Sequence, residues 1–229
     1  MIRMVVFDMA GTTVDEDNVV YKTLQRAVSD HGYALTLSQV LAEGAGKEKQ
    51  NAIKSILALQ QINDDELSAR IYQHFVTLLG EAYKNLNVVP QSNAEEVFRI
   101  LKRQKILIVL NTGYNFETAR SLVDKLGWQK GKEYDDLITA EDVKNGRPQP
   151  DMILLAMTHF SILNSDEVVK VGDSTVDVEE GKNAICALTI GITTGAHTYQ
   201  QLSNANPDFI ISNLSELPEI IKQYNTTHS

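Results

Sequence analysis

The first fifteen residues read Met1-Ile-Arg-Met-Val-Val-Phe-Asp8-Met-Ala-Gly-Thr-Thr-Val-Asp15, and the interpretation of the fold builds outward from them. Val5 to Phe7 form a β-branched and aromatic run that stops at Asp8 and a small polar loop. This pattern is typical of a buried β-strand that ends at a polar loop. We therefore expect Asp8 to lie at the carboxyl end of a strand.

The same pattern of an apolar run followed by a polar loop recurs along the chain, and each later run follows a segment with helical spacing. The predicted strands are 106–110, 137–139, 168–171 and 187–190, and the predicted helices include 116–126, 151–160 and 177–184. Ser92 and Glu95 have capping-box spacing and predict the start of another helix. Alternating strands and helices indicate an α/β fold, with a Rossmann-like parallel sheet core and helices on both faces. Ligands of such sheets bind beyond the carboxyl ends of the strands.

The strand pattern disappears between residues 15 and 87, where apolar residues recur with helical spacing instead. This predicts a small all-helical cap domain, 15–87, inserted after the first strand into a core domain formed by 1–14 and 88–229. Because the insertion follows the first strand, the cap should lie above the same strand ends as the polar loops. It is expected to act as a lid.

Composition excludes several classes of protein. The 229 residues are 43% hydrophobic and 22% charged, which is ordinary for a globular chain. With 21 basic and 30 acidic residues the net charge is −9, so no positive field would attract nucleic acid or a membrane surface. An acid follows the amino terminus too early for a signal-peptide core, and we expect a cytoplasmic protein, monomeric or homodimeric.

Four short segments resemble the four motifs of the haloacid dehalogenase superfamily, in the same order and at the same strand ends. They are 8–15 (Asp-Met-Ala-Gly-Thr-Thr-Val-Asp), 111–113 (Asn-Thr-Gly), 147–150 (Arg-Pro-Gln-Pro) and 172–177 (Gly-Asp-Ser-Thr-Val-Asp). The chain is most similar to the phosphonoacetaldehyde hydrolase branch and its phosphonatase-like relatives. Ala10 follows Asp8 by two residues, Arg147 replaces the usual lysine, and Tyr114 follows Thr-Gly, as in that branch.

The resemblance implies Mg²⁺-dependent hydrolysis of a small phosphorylated or phosphonate metabolite. Asp8 would be the nucleophile that accepts the phosphoryl group, because a bound hard cation offsets the charges of carboxylate and phosphoryl group. Oxygen ligands for Mg²⁺ would come from Asp8, the Ala10 carbonyl, Asp173 and, directly or through water, Asp177. The phosphoryl oxygens would be held by Thr112, Gly113 and Arg147.

Position 10 departs from the common phosphatases of the superfamily, which have a second aspartate there to protonate the leaving oxygen. The side chain here is Ala10. The enzyme must use a leaving group that needs no acid at this position, recruit an acid from elsewhere, or react slowly.

A lysine of the cap offers one solution. In phosphonoacetaldehyde hydrolase a cap lysine condenses with the substrate aldehyde, and the resulting iminium lets carbon leave as an enamine. The segment 43–50 resembles the loop that carries this lysine, and Lys49 falls at the matching offset from Gly46. Lys47 is the alternative, and either lysine could instead contact the substrate without covalent chemistry. Two positions depart from the family's loop: Ala45 replaces a methionine and Ala52 a histidine.

The leading hypothesis is therefore a phosphonatase-like hydrolase in which Asp8, Lys49 and Arg147 are catalytic and Gly46 and Lys47 contact the substrate. One alternative is a phosphomonoester phosphatase that lacks the usual acid, with Glu48 or a water in its place. A second alternative, from another class, is a catalytically weak protein that binds a phosphate ligand or has a regulatory role.

Overall fold

The computed structural model describes residues 1–84 and 86–228, and its centre is the strand predicted at the amino terminus. This strand, β1 (Met4–Asp8), is buried along its whole length. Its alternate side chains face opposite ways, as the strand period requires. Val5 and Phe7 pack into one apolar core, and Met4 and Val6 pack into a second core on the other side of the sheet.

The other strands complete a sheet whose order is β5-β4-β1-β6-β7-β8 and whose pairs are parallel. Their bounds are β4 (Leu107–Thr112), β5 (Asp136–Thr139), β6 (Val168–Gly172), β7 (Leu188–Ile192) and β8 (Phe209–Ile211). A separate antiparallel pair is formed by β2 (Val14–Asp15) and β3 (Val89–Pro90). The predicted parallel sheet is thus confirmed, and β8 is a strand that the sequence analysis missed.

Helices cover both faces of the sheet. They are α5 (Ala94–Arg103), α6 (Phe116–Leu126), α7 (Asp151–His159), α8 (Thr175–Asn183), α9 (Tyr199–Asn204) and α10 (Leu217–Thr227). Residues of α5, α6 and α10 belong to the core on one side, and residues of α7 to the core on the other. The expected fold class, a Rossmann-like α/β core with helices on both faces, is confirmed.

The capping box predicted from Ser92 and Glu95 is wrong. The residue that precedes α5 is Asn93, which has a left-handed backbone (φ 65°) and makes no side-chain cap hydrogen bond. Glu95 Oε1 instead accepts a hydrogen bond of 2.9 Å from Trp128 Nε1. The Glu95 carboxylate thus binds Trp128, which is distant in sequence, and does not cap the start of α5 as the local pattern predicted.

Four helices occupy the part of the chain between β2 and β3, where the cap is predicted. They are α1 (Val19–Asp30), α2 (Leu37–Gly44), α3 (Lys49–Ala58) and α4 (Asp65–Lys84). Their buried apolar faces include Leu24, Ile53 and Ile71 and join the larger core. The division into 1–14 plus 88–229 and 15–87 stays a prediction, and the β2–β3 pair stands at its two boundaries.

Among the helices of the described residues, none combines the length and the apolar character that a bilayer-spanning segment requires.

Candidate active site

A small space, here called the inner chamber, lies where α1, the start of α3 and the loop before α3 meet the carboxyl ends of β1, β4 and β6. Its volume is about 10 Å³, roughly the room needed for one water molecule. It brings together most of the site residues predicted from the sequence. Its lining is Asp8, Ala10, Tyr21, Gly46, Lys49, Thr112, Gly113, Tyr114, Arg147 and Asp173.

Three buried carboxylates converge at this place. Asp8 ends β1, Asp173 follows β6, and Asp177 lies in the first turn of α8. One oxygen from each lies within 4.8 Å of the other two. Parallel strands place their carboxyl ends at one edge of the sheet, and this explains why residues so distant in sequence meet here.

The surroundings of each carboxylate set its pKa in a different direction. Burial, with a further contribution from the charge of Asp177, raises the pKa of Asp8 although Arg147 opposes the shift. Burial and the charges of Asp8 and Asp177 raise the pKa of Asp173 well above its ordinary value. Burial would raise the pKa of Asp177 too, but Arg147 and Lys170 hold it below the usual range. Two of the three acids therefore lack enough positive charge around them.

This imbalance fits a divalent cation between Asp8 and Asp173. Their carboxylate oxygens are the hard ligands that Mg²⁺ prefers, and a cation would offset both the burial and the mutual repulsion that raise the two pKa values. Ala10, whose carbonyl is the third predicted ligand, lines the same chamber. Asp177 fits less directly, because its Oδ1 already lies 3.0 Å from both the Arg147 and the Lys170 nitrogens.

Glycines make room for the Asp173 carboxylate. A Cβ added at Gly195 or at Gly11 would collide with Asp173 Oδ2. The same carboxylate oxygen accepts a hydrogen bond of 2.6 Å from the Ala196 backbone N–H. The Ala196 backbone N–H therefore fixes the Asp173 carboxylate, and positions 11 and 195 beside it have room only for glycine.

Each nitrogen of the Arg147 guanidinium has an acceptor in the protein. Its Nη1 lies 2.7 Å from Asp8 Oδ1, and its Nε lies 3.1 Å from Glu180 Oε2. Its Nη2 donates to the Asn111 carbonyl at 2.9 Å and to Asn111 Oδ1 at 2.6 Å. Arg147 thus orients Asp8 in this structure. Its predicted contact with phosphoryl oxygens stays a prediction.

Lys170 and Glu180 belong to the same buried network, and the sequence analysis missed both. Lys170 Nζ lies 2.6 Å from Asn111 Oδ1, 3.0 Å from Asp177 Oδ1 and 3.1 Å from Glu180 Oε2. Asn111 Nδ2 in turn donates to both oxygens of Glu180, at 2.9 and 3.0 Å. One signal was available, because a lysine in the middle of the apolar run of β6 can be buried only if it is paired.

Thr112 and Gly113 lie at the end of β4, as predicted, where the chain turns toward α6. Thr112 is buried, and its Oγ1 accepts a hydrogen bond of 3.2 Å from the Tyr114 N–H. A Cβ at Gly113 would lie 2.9 Å from the Gly46 carbonyl oxygen and 3.1 Å from that of Lys47. The loop of the predicted cap therefore packs directly on this turn.

The two candidate lysines have different surroundings. Lys47 Nζ donates to Ser55 Oγ at 3.0 Å, and this residue does not contribute to the lining of the inner chamber. Lys49 is 6% exposed, lines the chamber, and has its Nζ 4.8 and 4.9 Å from the ring centres of Tyr21 and Tyr114. Burial, although Asp8 and Glu48 oppose it, lowers the pKa of Lys49 to about 8.

Two acidic residues near Lys49 bear on the absence of an acid at position 10. The Glu48 carboxylate accepts hydrogen bonds from the backbone N–H groups of Gln50 and Asn51 at the start of α3. Glu16 is 2% exposed, and burial raises its pKa to about 8 although the Val20 and Val19 backbone N–H groups oppose the shift. Glu16 is a buried acid that the sequence analysis did not single out.

The chain is similar to known proteins along most of its length. A phosphonoacetaldehyde hydrolase of Latilactobacillus sakei subsp. sakei (strain 23K) is 28% identical over 98% of this chain and 97% of its own. A protein of Dickeya dadantii (strain 3937) named "Probable phosphatase IndB" is 29% identical over 95% and 92%.

A solved structure has the same fold. It is the phosphonoacetaldehyde hydrolase like protein from Oleispira antarctica, with a TM-score of 0.84 and 22% identity over 98% of this chain and 93% of that one. Residues 2–184 match the family model described as haloacid dehalogenase-like hydrolase. This match covers most of the chain. The chain therefore belongs to the haloacid dehalogenase-like hydrolases and is a hydrolase of the phosphatase or phosphonatase-like kind.

Proposed function

We propose that this protein is a Mg²⁺-dependent hydrolase that transfers a phosphoryl group from a small phosphorylated or phosphonate metabolite to Asp8, and then from Asp8 to water. The observation that carries the proposal is the convergence of Asp8, Asp173 and Asp177 beside a chamber that is also lined by Thr112 and Gly113. As part of the same proposal, residues 15–87 form a cap domain over the core of 1–14 and 88–229.

The first step is attack by Asp8 on phosphorus. Arg147 holds the Asp8 carboxylate by its 2.7 Å contact, so one oxygen keeps its orientation while the other can attack. Asp8 and Asp173 would hold a metal ion, whose positive charge would offset the repulsion between the carboxylate and the phosphoryl oxygens. Thr112 and Gly113, at the end of the neighbouring strand β4, line the same chamber, where the Thr112 hydroxyl and the Gly113 N–H can hold phosphoryl oxygens.

The inner chamber must open for substrate to enter. A phosphoryl group is larger than the space of about 10 Å³ between the cap helices and the strand ends. The loop at Gly46 and Lys47, which packs against Gly113, therefore has to move away from the core and return. Closure would then exclude water from the reacting atoms.

A second candidate function, cleavage of a carbon–phosphorus bond, is favoured by the surroundings of Lys49. Burial and a lowered pKa give this lysine a usable fraction of neutral amine, which is the form that attacks an aldehyde. The amine would add to the carbonyl carbon and lose water to form an iminium. Carbon would then leave phosphorus with the bonding electron pair as an enamine while Asp8 takes the phosphoryl group.

Phosphate release measured with a panel of phosphorylated metabolites and one phosphonate, phosphonoacetaldehyde, tests the main proposal. Asp8→Asn keeps the size of the side chain and removes the attacking oxygen's charge, so turnover should fall below detection while the circular dichroism spectrum is unchanged. Full activity of Asp8→Asn would exclude this nucleophile. Binding of panel members without turnover by the unmodified protein would instead support a binding or regulatory role.

Borohydride trapping separates the two kinds of hydrolase. With phosphonoacetaldehyde, the imine mechanism requires a reduced adduct on Lys49, located by mass spectrometry of peptides, and its loss in Lys49→Arg. Lys47→Arg is the matched control, because Lys47 Nζ faces Ser55. Hydrolysis of phosphate monoesters without any adduct would identify a phosphomonoester phosphatase, in which Glu48 or a water would have to replace the missing acid.

A further inference from the structure

A second and much larger cavity adjoins the inner chamber. This outer chamber has a volume of about 460 Å³ and lies between α4 and the turn from β4 to α6. Lys49, Gly113 and Tyr114 line both chambers, so the two spaces share one wall. A substrate whose phosphoryl group reaches Asp8 would direct the rest of its atoms past these residues into the outer chamber.

We propose that the outer chamber binds the leaving group of the substrate, and that this leaving group is an uncharged, largely apolar group at least as large as a six-membered ring. The inference rests on the proposed function for the position of the phosphoryl group. It goes further by naming the class of substrate.

Volume is the first argument. Sites for small molecules enclose roughly 300–1,000 Å³, and the outer chamber falls within that range. The two-carbon skeleton of phosphonoacetaldehyde would leave most of this space unfilled. A cavity with apolar walls loses dispersion contacts wherever no ligand atoms are present.

The walls are the second argument. The helix α4 contributes Phe75, Val76 and Leu79 to the lining, and the opposite side contributes the ring of Tyr114. Burial of apolar ligand surface against such side chains favours binding by roughly a factor of four for each methylene group. The walls thus favour carbon-rich leaving groups over hydrated polar ones.

Charge is the third argument. Glu48, Glu117 and Glu141 line the outer chamber, and Lys49 is the one cation among the described residues that do so. Its Nζ donates to the Lys47 carbonyl at 3.0 Å and lies 4.8 and 4.9 Å from the ring centres of Tyr21 and Tyr114. A leaving group with a carboxylate would therefore meet three like charges, and an uncharged one would not.

Two unpartnered hydroxyls are the fourth argument. Tyr83 and Tyr114 line the outer chamber, and the buried hydroxyl of each has no hydrogen-bond partner among the described residues. Buried polar groups are usually paired. A polar atom on an otherwise apolar ligand would satisfy them, and this is independent evidence that the cavity accepts a ligand.

Gly80 provides a sharp test. It lines the outer chamber, and a Cβ added to it would have no atom within 4 Å. Gly80→Leu therefore adds side-chain volume at the wall of the cavity, with open space around its Cβ, and leucine is a better helix former than glycine. Thr77→Leu is the matched control, because Thr77 is an exposed residue of the same helix and is not part of the lining.

The first experiment measures kcat/KM for cyclohexylmethyl phosphate and ethyl phosphate, two alkyl esters with similar leaving-group chemistry, and for phosphoglycolate. We expect at least about a tenfold preference for the cyclohexyl ester over ethyl phosphate and the lowest value for phosphoglycolate. In Gly80→Leu the preference should fall toward one, and in Thr77→Leu it should stay. Equal rates for the two alkyl esters, or a full preference in Gly80→Leu, would overturn the inference.

The second experiment measures binding without turnover. Calorimetry with Mg²⁺ compares cyclohexylmethylphosphonate with ethylphosphonate, and we expect the former to bind at least about tenfold more tightly. Equal affinities overturn the inference even if the protein is a hydrolase. If cyclohexylmethylphosphonate binds more tightly than ethylphosphonate but no ester is hydrolysed, the proposed reaction is wrong and the inference about the class of ligand is supported.

Discussion

Replacement of Lys170 by methionine tests the buried charge network most directly. The two side chains have similar length, so Lys170→Met removes the ammonium and leaves the space filled. Lys170 is fully buried in the middle of β6, where its Nζ contacts Asn111, Asp177 and Glu180 at 2.6, 3.0 and 3.1 Å. After the substitution, Arg147 alone would balance the two carboxylates.

The expected cost follows from these three contacts. Each hydrogen bond to a charged group contributes roughly 1.5–3 kcal/mol, and removal of one partner of a buried ion pair costs roughly 3–5 kcal/mol. Methionine recovers part of this through apolar packing. We therefore expect Lys170→Met to lower the free energy of unfolding by about 4 kcal/mol.

Urea titration followed by circular dichroism measures this change. Lys222→Met is the control, because its ion pair with Glu219 at 3.3 Å is exposed on both sides. Exposed pairs contribute roughly 0–1 kcal/mol, so this variant should unfold almost like the unmodified protein.

A double-mutant cycle then tests whether the cost arises from Glu180. Glu180→Gln removes the negative charge that Lys170 balances, so the double variant Lys170→Met/Glu180→Gln should be about 2 kcal/mol more stable than the sum of the single effects predicts. Additive effects within about 0.5 kcal/mol would refute the coupling of these two residues. A loss below about 1 kcal/mol in Lys170→Met alone would refute the description of the network as buried and paired.

Three further predictions concern single positions. Glu16→Gln should raise the free energy of unfolding by up to about 3 kcal/mol at pH 7. The native pKa of Glu16, about 8, lies above the ordinary 4.5, so the stability of the unmodified protein declines as pH rises between these values. Urea titrations at several pH values should show a flatter decline for the glutamine variant. Gly195→Ala should lower kcat for phosphate release more than about tenfold, because the added Cβ displaces the Asp173 carboxylate. Gly146→Ala is the control and should leave phosphate release unchanged, because its Cβ would meet its nearest atom at 4.0 Å. Equal activity of the two variants would contradict the steric argument. If Lys49 forms an imine, trapping with borohydride should rise about tenfold per pH unit below its pKa of about 8 and level off above it, and a flat pH profile would exclude this amine as the attacking group.

Elements with strong local patterns were predictable from the sequence. The buried runs at β1, β4 and β6 are continuous apolar stretches that end at polar residues, and each became a strand within two residues of the predicted bounds. The strand β8 was missed because Phe209–Ile211 is a three-residue edge strand with little periodicity to detect.

The meeting of the aspartates also followed from the sequence, because parallel topology alone brings strand ends together. The partners of Arg147 did not follow. Its contacts reach Asp8, Asn111 and Glu180 on three different elements, and which atoms meet depends on strand register and helix rotation. Sequence patterns report the periodicity of one element and not the pairing of side chains between several.

The outer chamber could not be predicted from the sequence for a related reason. Phe75 and Leu79 lie within residues 15–87, where the sequence predicted only helices with apolar faces, and both also line a cavity in the folded chain. Whether an apolar face fills its space or leaves a hollow depends on the opposite wall, here at Tyr114. Spacing along a single helix contains no information about that distance.

The short β2–β3 pair has an evolutionary consequence. Asp15 and Val89 are directly opposite one another in this separate pair, so the two segments that lead into and out of the helices α1 to α4 lie side by side, roughly 5 Å apart. For the parallel sheet, the residues between Asp15 and Val89 are an insertion whose two ends are neighbours. Helices of another length or shape could be exchanged there without shifting the register of a single strand, so Asp8 and Asp173 would keep their places while Tyr21 and Lys49 were replaced.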